Sequence, residues 1–165
     1  MDRAPAVFTI GHSTHPWDRF LGLLRGHAIE GLCDVRRYPG SRRNPQFNAD
    51  ELAAALRDAG IDYEGLGEAL GGRRRQRARS GTAGAAWRSR SFQAYAEHME
   101  TEEFAAGIER LEGLAALRRT AIMCAEKEWR RCHRRLISDA LESRGWRVLH
   151  LRPDGRLEAH EPTLG

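Results

Sequence analysis

Apolar positions along the chain switch repeatedly between short runs and helical spacing. Val7-Phe-Thr-Ile10 reads as a strand closing at Gly11-His12-Ser13, and beyond Pro16 a stripe of Phe20, Leu21, Leu23 and Leu24 predicts a helix. Ile29 to Val35 predicts a second strand, with Asp34 and Arg36 at its end. At Phe47-Asn48-Ala49-Asp50-Glu51-Leu52 a helix should begin, with Asn48 as cap, Glu51 completing a capping box and Phe47 stapled to Leu52. It runs over Ala55 and Leu56 to Gly60, after which Ile61-Asp62-Tyr63 opens a third strand. Helical spacing returns at Phe92, Tyr95 and Met99, and again at Phe104, Ile108, Leu111 and Leu114. Thr120 to Cys124 is the fourth strand, Leu136, Ile137, Ala140 and Leu141 mark a helix closing at Gly145, and Trp146 to Leu151 is the last strand. Counting back four from Leu136 and Ile137 places Cys132 and His133 in that helix's first turn.

This alternation predicts an α/β fold: a single domain over residues 1–165, with a mostly parallel sheet of roughly five strands and helices on both faces. No stretch of eighteen apolar residues exists, so no membrane partner is expected. Met1-Asp-Arg-Ala-Pro5 leads into the first strand without an apolar signal region, and the three cysteines are an odd number. Together these predict free thiols in a reducing, cytoplasmic setting.

The net charge of +4 is unevenly spread, because residues 71–90 hold seven arginines and no acid. That stretch has no apolar period and predicts a long arginine-rich loop, of a kind that is functional or simply solvated. Lys127 is the only lysine. Arginine's planar fork favours bidentate contact with phosphate or carboxylate.

In a parallel sheet, ligands gather outside the carboxyl ends of the strands. The predicted ends carry His12 and Ser13, Asp34 and Arg36, Tyr63, Glu126 and His150, and Arg42 follows the second. The fourth strand and its helix bring Cys124, Glu126, Cys132, His133 and Arg134 within eleven residues. A thiol near a helix start, beside an imidazole and a guanidinium, is a candidate nucleophile, which makes Cys124, Glu126, Cys132 and His133 the candidate catalytic set. His12, Ser13, Asp34, Arg36, Arg42, Tyr63, Arg134 and His150 are the candidate binding residues. Asp34 beside Arg36, and Glu126 with Arg134, are expected to hold guanidinium groups in place.

Ile10-Gly11-His12-Ser13, Asp34-Val35-Arg36 with Pro39 and Ser41-Arg42, Phe47, Tyr63, Leu70-Gly71-Gly72, Met123-Cys124-Ala125-Glu126 and Cys132-His133-Arg134 occur in an order that resembles the domain of unknown function 488 (DUF488) family over about residues 7–152. The resemblance implies a compact α/β fold and marks these motifs as family features. It implies no substrate.

The residues serve an enzyme and a binding module equally well. The favoured reading is a polar cleft that binds or acts on an anionic ligand, a nucleotide or nucleic-acid phosphate, with no cofactor and no metal. Cys124 and Arg130 have Cys-x5-Arg phosphate-loop spacing, although Glu126, Lys127 and Glu128 replace the small residues such a loop needs. Two alternatives stand beside it. The arginine-rich stretch, with Tyr38, Trp87 and Phe92 interleaved, suits a non-catalytic nucleic-acid module, and His12, Asp34, Glu126, His133 and His150 suit a metal-dependent hydrolase.

Overall fold

A computed structural model describes residues 5–40, 42–72 and 90–162. Its strands are β1 (Ala6–Gly11), β2 (Gly31–Asp34), β3 (Asp62–Gly65), β4 (Thr120–Cys124), β5 (Arg147–Leu151) and β6 (Leu157–Ala159). The helices are α1 (Trp17–Gly26), α2 (Ala49–Asp58), α3 (Gly67–Leu70), α4 (Arg90–His98), α5 (Glu102–Leu117) and α6 (Arg134–Ser143). Residues 73–89, most of the predicted arginine-rich loop, lie outside the described residues.

The sheet runs in the order β3-β2-β4-β1-β5-β6. β1 to β5 are parallel, and β6 pairs antiparallel with β5. The sequence expectation of five strands is therefore one short: Leu157–Ala159 has three residues, two of them exposed, and leaves no apolar run to read.

Side chains alternate across the sheet as the period of two demands. Phe8, Ile10, Leu32, Ala121 and Met123 pack toward Phe20 and Leu24 of α1 and Leu52 and Leu56 of α2. Val7, Cys33, Ile122 and Cys124 pack toward Leu70, Phe104, Ile108 and Leu111, and toward Leu136, Ile137 and Leu141 of α6. Burial on both faces explains why the central strands read as continuous apolar runs. α2 begins after Asn48 as expected, but without a side-chain capping bond to its first turn.

β1 leads into α1 on one face while its neighbour β4 leads into α6 on the other. A crevice opens where adjacent connections part in opposite directions, so the ends of β1 and β4 are the place for a ligand. Gly11 and Cys124 are paired there, the last residues of their strands. A Cβ on Gly11 would collide with the carbonyl of Glu126 and touch the Arg134 guanidinium, so only glycine lets the loop after β4 close over β1.

Candidate active site

A cavity of about 610 Å³ sits over these strand ends. His12 and Ser13 come from the end of β1, and Arg36, Arg37 and Tyr38 from the end of β2; Cys124, Glu126 and Lys127 follow β4, and Arg131, Cys132 and His133 lead into α6. Arg43, Gly72, Phe92 and Tyr95 complete much of the wall.

His12 Nδ1 donates to the Ser13 carbonyl at 2.8 Å, which leaves Nε2 to accept from Arg36 Nη1 at 3.3 Å. Burial brings this ring's pKa down to about 4, so it is neutral near pH 7. Ser13 takes a positive φ of 47°, an uncommon conformation for a residue with a Cβ.

Behind His12, Arg36 is committed to Asp34. Its Nε donates to Oδ1 at 2.8 Å and its Nη2 to Oδ2 at 2.7 Å, while Tyr63 donates its hydroxyl to Oδ2 at 2.6 Å. Asp34 is 1% exposed, so the pair is buried and the carboxylate works as an anchor. Burial, followed by this hydrogen bond, pushes the Tyr63 pKa up. Asp34 and Tyr63 stand behind the cavity wall, and Arg42 is exposed outside it; the adjacent Arg43 faces in.

The floor is a thiol pair. Cys124 Sγ and Cys132 Sγ lie 2.7 Å apart, and Cys132 Sγ is 3.5 Å from His133 Nδ1. His133 donates Nε2–H to the Val35 carbonyl at 2.9 Å, so its Nδ1 is the proton acceptor on the side of the sulfur. The two thiols differ in kind. Burial and the hydrogen bond between the sulfurs raise the pKa of Cys124. At Cys132 burial is outweighed by the hydrogen bond from Cys124, the charge of Arg134 and the Arg134 backbone N–H at 3.4 Å, and the pKa falls to about 7.

The helix itself starts later than its apolar spacing suggests. His133 is its N-cap, and Cys132 closes a short turn over Trp129–Arg131, because the chain must bend back from β4 before it can wind. The expected Glu126–Arg134 ion pair is also replaced. Arg134 donates Nη2 to the main-chain carbonyl of Glu126 at 2.7 Å, while the Glu126 side chain is exposed and faces the cavity. Arg130, the Cys-x5-Arg arginine, points away onto Trp129 and pairs with Glu158 at 3.0 Å.

Arg134 is 1% exposed and has no carboxylate partner among the described residues. Its Nη1 donates to Thr9 Oγ1 at 3.2 Å. From there Thr9 meets His150 Nδ1 at 2.6 Å, His150 Nε2 meets His160 Nδ1 at 2.9 Å, and His160 Nε2 meets Asp139 Oδ1 at 2.7 Å. Arginine only donates and a carboxylate only accepts, so with one proton on each ring every proton in this row points from Arg134 toward Asp139. His150 belongs to this buried row and does not line the cavity. Burial, helped by Arg134, lowers its pKa to about 2, and Trp129 stacks on it at 4.0 Å.

Sequence reasoning passed over Arg37 and Arg131, which no period distinguishes from solvated arginines, and over Thr9, His160 and Asp139. Thr9 was the available signal, a hydroxyl in the middle of an apolar central strand. Among the described residues no group of three His, Cys, Asp or Glu side chains could hold a metal, and no helix is long and apolar enough to cross a membrane. No curated protein and no solved structure matches the chain. A family model described as Domain of unknown function DUF488 matches residues 16–141, a span holding β2 to β4, most of α6 and the thiol pair, with β1 and His12 just before it. On that match the chain belongs to the DUF488 family.

Proposed function

We propose that the cavity binds a phosphate-bearing anion of nucleotide size and presents Cys132 to it as a nucleophile. The charge of the lining carries this reading. Among the described residues Arg37, Arg43, Arg131 and Lys127 face the space against a single carboxylate, Glu126, with the buried Arg134 beneath. Low-dielectric walls of one sign concentrate an oppositely charged ligand. A volume of about 610 Å³ suits a small molecule, and the exposed ring of Tyr38, with Arg37 5.7 Å from its centroid, offers a platform for a base.

The chemistry follows from the proton positions. His133 Nδ1 takes the Cys132 proton, and the thiolate is held by Arg134 and by its backbone N–H at the start of α6. The reading keeps the reducing, cytoplasmic setting expected for such a thiol. Arg73 to Arg79 lie outside the described residues, so the nucleic-acid alternative enters as an arm of the test.

Calorimetry with inorganic pyrophosphate, ATP and a single-stranded oligonucleotide at low salt tests the proposal, together with Cys132 alkylation in the presence of each. ATP or pyrophosphate should bind and slow alkylation, and Arg37→Gln with Arg43→Gln should weaken both effects. Oligonucleotide binding alone, with a log–log salt slope of about 0.7 per phosphate contact, would transfer the function to nucleic acid. Absence of binding and of protection by all three would refute an anion site.

A further inference from the structure

The thiol pair has a property that anion binding does not use. Its sulfurs, 2.7 Å apart, are closer than two unlinked thiols ordinarily sit and beyond the bond length of about 2.05 Å. The two are also unequal, although both line the cavity: Cys132, 5% exposed, has His133 Nδ1 at 3.5 Å, whereas Cys124, 1% exposed, is held at the end of β4. We propose that Cys132 and Cys124 form a dithiol couple that reduces a hydroperoxide, with Cys132 as the attacking sulfur and Cys124 as the resolving one.

The steps balance. Cys132 gives its proton to His133 Nδ1, and the thiolate attacks the nearer peroxide oxygen. The O–O bond breaks, Cys132 becomes a sulfenic acid, and the departing oxygen takes the proton back from His133 to leave as water or an alcohol. Cys124 then attacks the Cys132 sulfur; its own proton and the sulfenic oxygen and hydrogen leave as water. The two sulfurs lose two electrons in all, and the peroxide gains them. The difference between the thiols sets the direction, since the sulfur carrying thiolate character reacts first and the protonated neighbour waits. With a pKa of about 7, Cys132 holds roughly fifteen times more thiolate at pH 7 than an ordinary thiol. Weaker intrinsic nucleophilicity returns part of that gain and leaves roughly threefold.

Disulfide formation removes the negative charge that faces Arg134. Oxidation should therefore tighten anion binding where the site reading holds, and a bound anion should favour oxidation by the same factor.

The test treats the full reduced chain with one equivalent of hydrogen peroxide, followed by intact-mass and peptide mass spectrometry. The expected product is an intramolecular Cys124–Cys132 disulfide, lighter by two hydrogens and reversed by dithiothreitol. In Cys124→Ser, dimedone should label Cys132, which it leaves unlabelled in the parent. Cys132 driven to sulfinic acid in the parent, a disulfide between chains, or no reaction would overturn the couple. If Cys124→Ser fails to fold, the parent experiment still decides. Pyrophosphate titration of the reduced protein reports the anion site separately, so a chain that cross-links without binding anions loses only the earlier reading.

Discussion

Replacing Asp34 with asparagine tests the anchor behind the cavity most directly. The carboxylate accepts from Arg36 Nε and Nη2, from the Arg36 backbone N–H at 3.1 Å and from the Tyr63 hydroxyl. Asparagine keeps the shape but removes the charge, and it turns one acceptor into a donor aimed at another donor. Arg36 is 7% exposed, so its guanidinium is left buried with one neutral amide oxygen and His12 Nε2 as its acceptors and no charge to offset its own. Breaking a buried pair from one side costs about 3–5 kcal/mol. With a urea dependence of about 2 kcal/mol per molar, the unfolding midpoint should fall by roughly 1.5–2.5 M. Arg36→Met should cost a similar amount. The double change Asp34→Leu, Arg36→Met should cost far less than the two single changes together, because no charge remains to be solvated. Additive single effects, or an Asp34→Asn shift below about 0.5 M, would show that the pair is screened and the anchor unimportant.

The buried row from Arg134 to Asp139 predicts that nitrogen NMR finds both His150 and His160 protonated at Nε2. Thr9→Val should cost about 1–3 kcal/mol by orphaning two polar groups, with Thr9→Ser restoring it, and an Nδ1-protonated ring would refute the row. His12 and His150 have folded pKa values below the ordinary 6.5, so their contribution is complete above that value and is lost as the pH falls toward about 4 for His12 and about 2 for His150. Stability measured by urea titration should then decline on acidification by up to about 1.4 kcal/mol per pH unit for each ring, and a flat profile from pH 6.5 to 4 would contradict their burial. Gly11→Ala should lower the melting temperature and weaken Cys132 reactivity together, since it displaces the Glu126 carbonyl that holds Arg134; loss of one effect without the other would separate them. Ala28 is exposed with a φ of 56°, so Ala28→Gly should raise stability by about 0.5–1 kcal/mol in thermal unfolding, and a decrease would refute the strain.

The alternation of apolar runs with helical spacing determined the architecture, because burial on both faces leaves a continuous signal in β1, β2 and β4. It also marked the strand ends as the polar places, which is where Cys124, His12 and Arg36 meet. β6 escaped because a three-residue edge strand buries too little to leave a pattern. The roles of the site residues lay beyond sequence, since they depend on distances between groups far apart in the chain. Thr9 and His150 are joined across neighbouring strands, and Asp139 reaches Arg134 only through three intervening side chains. Likewise Arg134 looked like a partner for the Glu126 carboxylate, because sequence gives the charge of a residue but not which of its oxygens a loop turns inward. The close approach at Gly11 decided that, and with it the charge that holds the Cys132 thiolate.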